Sequence, residues 1–125
     1  MLYLDTHIVA WLYKGHAKKL SREAAREIDK ADSLLISPAV ELELEYLYIR
    51  NRLSVGATII LSDLSARIGL TLCELPFKLV THQALALNWT EDPFDRLIVA
   101  QSIAAKSRLI TADDKILRHY PQAIW

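Results

Sequence analysis

"TEDPFDRLIVAQS", residues 90–102, is followed after a short gap by "RLIT" at 108–111, and this pair decides the architecture. Asp92 ahead of Pro93 has the form of an N-cap followed by proline at the first helical position. The apolar residues behind it recur at helical spacing, so a helix is expected over about 93–106. "RLIT" is short and apolar on both faces, as a strand inside a covered parallel sheet should be. A helix that feeds such a strand runs antiparallel to it, so Asp92 and Asp95 must lie at the edge where the strand ends.

The same alternation extends in both directions. "LYLD" at 2–5, "LLIS" at 34–37 and "LTLCEL" at 70–75 read as further short buried strands, with "QAIW" at the end as an additional short one. Helices are expected near 7–14, 21–31, 38–52, 55–68 and 78–88. Ser37 before Pro38 repeats the cap-proline pattern, and Ser21 and Asp114 are suitable caps for their own helices. The expected fold class is therefore α/β, a three-layer α/β/α sandwich around a central parallel sheet.

With 125 residues the chain has the usual size of one domain and is long enough to bury a core without disulfides. Hydrophobic residues make up 52% of it, which excludes a disordered chain. No apolar run approaches the roughly 20 residues of a membrane span, and the start "MLYLDTHIVAWLYK" lacks the pattern of a secretory signal, so a soluble, cytoplasmic protein is expected. Lys plus Arg and Asp plus Glu balance at 15 each, so any nucleic-acid site must be a local patch. The one cysteine, Cys73, sits among apolar residues and reads as a buried, inert thiol.

Parallel α/β sheets bind ligands beyond the C-terminal ends of their strands. Asp5 ends the first strand, Asp92 and Asp95 open the helix before "RLIT", and Asp113 follows that strand. Glu43 lies in the helix after the second strand, roughly 8 to 9 Å from its start at about 1.5 Å per residue, within reach of the same edge. At about 100° per residue Glu41 and Glu45 share one face, and Glu43 is turned about 200° from each. Glu41 and Glu45 are expected in solvent and Glu43 on the inward side. Each aspartate alone could be a helix cap or a turn residue. Four converging carboxylates would instead repel one another unless a cation is present, and an all-oxygen set suits magnesium or manganese. Such ions act on phosphodiesters.

"LYLDTH", "ISPAVELEL", "DPFDRLIVAQS" and "LITADDKI", in this order, resemble the PIN-domain nucleases, and more narrowly the VapC-type toxins of toxin–antitoxin pairs. The resemblance covers essentially the whole chain and implies one nuclease domain over residues 1–125, cleaving single-stranded RNA with Mg²⁺ or Mn²⁺. Asp5, Glu43, Asp95 and Asp113 match the family's metal-binding, catalytic acids. Asp92 matches an auxiliary acid, and Thr6 and Thr111 match small hydroxyl residues that orient carboxylates or water. Leu42 stands where the family often has tryptophan. Glu41 and Asp114 remain alternatives to their neighbours Glu43 and Asp113. The implied partners are RNA, a small antitoxin protein and a second copy of the chain in a homodimer.

Lys14, Lys18 and Lys19, with His16 and Arg22 nearby, and Arg96 beyond them, are candidate RNA-backbone contacts, although a solvated loop accounts for the lysines equally well. Trp11, Tyr46, Tyr48 and Trp89 read as core. A receiver domain or an aspartate-nucleophile phosphatase also gathers acids at this edge. Asp5-Thr6-His7 offers neither the acidic pair nor the D-x-D that these need. The remaining alternative is a PIN-like interaction module without activity.

Overall fold

The computed structural model describes residues 1–125. Five strands, β1 (Leu2–Leu4), β2 (Leu34–Ile36), β3 (Thr71–Leu72), β4 (Arg108–Ile110) and β5 (Ala123–Ile124), pair in parallel in the order β3-β2-β1-β4-β5. The helices between them are α1 (Thr6–Lys14), α2 (Arg22–Lys30), α3 (Pro38–Ile49), α4 (Ala57–Ile68), α5 (Phe77–Ala84), α6 (Pro93–Ala104) and α7 (Asp114–His119). A 3-10 turn at Ala17–Lys19 joins α1 to α2. Leu2, Tyr3 and Leu4 are all buried, as they must be when helices cover both faces of the sheet. The core continues through Ile8, Ile36, Leu44, Ile60, Leu64, Ile98 and Leu109. No helix is long and apolar enough to cross a membrane.

The strand order reverses at β1, whose neighbours are β2 on one side and β4 on the other. That reversal opens a crevice beyond the ends of β1 and β4, the usual ligand position in such sheets. Tyr3 pairs with Leu109 and Leu4 with Ile110, and the Asp5 amide donates to the Ile110 carbonyl at 3.0 Å. The residues that follow the two strands, Asp5 and Thr111, are thus drawn together by the ladder itself.

Several expectations are corrected. "LTLCEL" yields only two residues of strand, both exposed, because β3 is an edge strand. Leu70 and Cys73 on either side turn into the core, and Cys73 accepts a hydrogen bond from the Tyr3 hydroxyl at 2.8 Å. Helix α3 stops at Ile49 rather than 52. Asn51 adopts a left-handed conformation (φ 62°), and the Arg52 amide returns to the Leu47 carbonyl at 2.8 Å. Asp113, not Asp114, caps α7. Tyr46 and Tyr48 are 44% and 42% exposed rather than core, since the buried stripe of α3 runs through Ala39, Val40 and Leu44. Trp11 and Trp89 are half-buried against the core.

Glu45 is also more than a solvated acid. Its Oε1 accepts from the Ala57 amide at 3.0 Å and so caps α4, whose own cap residue Gly56 has no side chain to do it. A Cβ on Gly56 would lie 2.7 Å from that oxygen, so a side chain there would displace the Glu45 carboxylate from the cap.

Candidate functional site

Asp5 is buried where β1 ends. Its Oδ1 accepts from the Thr6 amide at 2.8 Å, and its Oδ2 from the Thr111 hydroxyl at 2.6 Å. The Thr111 hydroxyl in turn accepts from the Asp113 amide at 3.1 Å. The Thr6 hydroxyl donates to Glu43 Oε1 from the first turn of α1. Two threonines therefore tie β1, β4, α3 and the start of α7 around one carboxylate. This hydrogen-bonded group forms the floor of the site.

Three more acids stand at helix starts above it. Asp92 caps α6, its Oδ1 accepting from the Phe94 and Asp95 amides at 2.8 and 3.2 Å. Asp113 caps α7, accepting from the Lys115 and Ile116 amides at 2.8 and 3.1 Å. No donor in the protein reaches the carboxylate of Asp95. An open cleft of about 470 Å³ is lined by Asp92, Asp95 and Asp113 together with Asn88, Trp89, Thr90, Glu91 and Lys115.

Burial and mutual repulsion shape the charge states here. Desolvation, followed by the charges of Asp92, Asp5, Asp113 and Glu43, raises the Asp95 pKa from its ordinary 3.8 to about 7. Glu43 is raised too, first by desolvation and then by Asp5 and Asp92, against the lowering effect of the Thr6 hydroxyl. Asp5 is raised by its burial, which outweighs the hydrogen bonds from Thr111 and Thr6. None of the ion pairs in the molecule involves these acids. The cluster is thus a group of carboxylates with no ion-pair partner in the protein. As the side chains stand, no three of them are gathered closely enough to hold a metal ion, since Asp5, Glu43 and Asp113 are turned to hydroxyl and amide donors.

The alternatives left open by the sequence separate clearly in position. Glu43 reaches Thr6, whereas Glu41 lines a different cleft beside β3 and α4. Asp113 lines the acidic cleft, whereas Asp114 is an exposed residue of the first turn of α7. The basic candidates are not brought to the acids. Lys14, Lys18 and Lys19 lie at or beyond the far end of α1, about 13 Å from its start at 1.5 Å per residue. Lys19 rests over the Trp11 ring, 5.7 Å from its centroid. Arg96 is directed to α5, where it donates to the Ala84 carbonyl at 2.9 Å, and its Nε is buried without a partner. Lys115, Trp89 and Asn88 line the cleft without a sequence signal of their own, beyond their closeness in the chain to Asp113 and Asp92.

The chain matches the PIN domain family over residues 2–121. It is 28% identical over 130 residues to Ribonuclease VapC22 of Mycobacterium tuberculosis, with 98% of this chain and 96% of that protein covered. Among solved structures it is similar to VapBC2 from Rickettsia felis bound to a DNA fragment from their promoter, with a TM-score of 0.68 and 21% identity over 99% of this chain and 96% of that one. A toxin–antitoxin complex from Klebsiella pneumoniae gives a TM-score of 0.69 at 17% identity, covering 100% and 97%. Fold, topology and sequence thus agree, and the chain belongs to the PIN domain family.

Proposed function

We propose that this PIN-domain protein is a divalent-metal-dependent endoribonuclease that hydrolyses single-stranded RNA in the cytoplasm, as the toxin of a toxin–antitoxin pair. The observation that carries the reading is the cluster of Asp5, Glu43, Asp95 and Asp113 at the β1/β4 crevice, where none of them has an ion-pair partner. The oxygen-only donor set fits Mg²⁺ or Mn²⁺ better than a softer ion. Asp5, Glu43, Asp95 and Asp113 would hold it. A bound divalent ion supplies positive charge for the attacked phosphodiester and lowers the pKa of water.

The chain's own residues prepare this chemistry. Thr111 and the Thr6 amide fix both oxygens of Asp5, so its orientation is set before substrate arrives. Thr6 does the same for one oxygen of Glu43. Without an ion the cluster limits its repulsion by holding protons, on the Asp95 carboxyl near neutral pH. Asp92 is occupied with two helix amides and is an auxiliary acid. The toxin role and the antitoxin partner are supported by the ribonuclease relative and by the toxin–antitoxin complexes among similar folds, whereas the homodimer rests on the sequence resemblance.

The test is cleavage of labelled single-stranded RNA by purified protein with Mg²⁺ or Mn²⁺, stopped by chelator, by Asp5→Asn and by Asp95→Asn while both variants stay folded. Undiminished cleavage by Asp5→Asn, or no manganese binding by the wild type, would sink the metal-site reading. The silent-module reading would require that no RNA be cleaved under any divalent ion.

A further inference from the structure

Trp89, Asn88 and Lys115 line the acidic cleft, yet hydrolysis of a phosphodiester by metal-binding carboxylates assigns none of them a role. Trp89 rests part of its indole on the core and turns the remainder to the cleft. Its ring lies parallel to that of His119, with centroids 5.0 Å apart and planes within 6°. His119 is itself exposed at the last position of α7, so this stack is not part of the interior.

Helix α7 explains how the parts come together. Lys115 and His119 are four residues apart and share a face of it, the face that meets the cleft and Trp89. Lys115 has no acidic partner in any ion pair of the structure. One short helix, capped by Asp113, thus brings an acid and a free cation to the cleft and sets His119 against Trp89, which lines it. Unpaired nucleobases are recognised by stacking on such surfaces, and the adjoining phosphates by lysine.

We propose that Trp89 and His119 form a stacking platform that seats one unpaired base of the RNA beside the acids, with Lys115 holding the neighbouring phosphate. The proposal rests on the ribonuclease reading and adds to it the residues that seat the substrate. It requires a base free of its own strand's stack, so duplex RNA should bind poorly.

The test uses Asp95→Asn protein in chelator and a short fluorescent single-stranded oligoribonucleotide, followed by anisotropy. Trp89→Ala and His119→Ala should each weaken binding about tenfold, and Trp89→Phe much less. A series of oligonucleotides with one abasic site each should show one sensitive position, whose sensitivity disappears in Trp89→Ala. With Trp11 and Trp125 changed to Phe, Trp89 is the sole tryptophan, and its emission should be quenched at saturating RNA. This measurement, like the abasic series on Trp89-containing protein, remains decisive if Trp89→Ala does not fold. Absence of quenching, or equal binding of every abasic oligonucleotide, overturns the platform. If the wild type cleaves RNA all the same, the ribonuclease reading survives that loss. If the wild type neither binds nor cleaves RNA, both readings fall.

Discussion

At the floor of the site Asp5 takes hydrogen bonds on both oxygens, from Thr6 and Thr111, whereas Asp95, which lines the open cleft, takes none. Both are aspartates at the start of a helix, on the same edge of the same sheet. Asp5 is the N-cap of α1, so helix and strand both have a use for it. Asp95 stands one turn inside α6, after Asp92 has already taken the cap amides. The difference separates two roles for one side chain. Where the fold supplies donors, the carboxylate is fixed. Where it supplies none, burial first and then the neighbouring charges raise the carboxyl pKa to about 7.

The comparison is broken most severely at the floor. Asp5→Asn is expected to lower RNA cleavage at least about a hundredfold with the fold retained, as judged by circular dichroism. Asp95→Asn should lower cleavage comparably but affect stability in the opposite sense from a usual loss of charge. Because the folded pKa of Asp95 is raised, its favourable contribution is complete below its ordinary 3.8 and is lost as pH rises through about 7. Metal-free wild type should therefore melt lower near pH 8 than near pH 5, and Asp95→Asn should raise the melting temperature by about 3 °C near pH 8 and by less than half of that near pH 5. An unchanged melting temperature near pH 8 would remove the account in which burial and neighbouring charges penalise the Asp95 carboxylate.

A milder change sharpens the same contrast. Thr111→Val keeps the shape of a buried residue but takes the donor from Asp5 Oδ2. Manganese affinity, measured calorimetrically, should fall about ten- to a hundredfold, and stability by about 1 to 3 kcal/mol. The smallest effect is expected from Lys18→Ala with Lys19→Ala. These residues are a helix length from the acids, and RNA affinity should stay within about threefold. A much larger loss would mean that the RNA path reaches the far end of α1.

The starts of α3 and α6 are legible in the sequence because Ser37-Pro38 and Asp92-Pro93 each join a side-chain cap to a residue that cannot donate to the turn before it. The central strands are legible because burial on both faces leaves them uniformly apolar. The edge strand is less so: "LTLCEL" contains core residues, Leu70 and Cys73, that are buried outside the two residues of ladder. Tyr46 and Tyr48 mislead because they lie within a helix whose inward stripe is supplied by smaller neighbours. Tyr46 instead packs on Phe94 and is covered by Arg50. Convergence of the acids follows from topology, which periodicity can supply. The turn of Arg96 toward Ala84, and the arrival of Lys115 and Trp89 in the cleft, depend on how loops and side chains meet in space.

The strands themselves are two or three residues long, and the outermost, β3 and β5, have two each. A sheet with such abbreviated margins offers another chain almost no backbone on which to add a strand, and little template for edge-to-edge aggregation. A docking protein therefore gains little from the sheet margins, and substitutions on the helices and loops can change its affinity without disturbing the sheet.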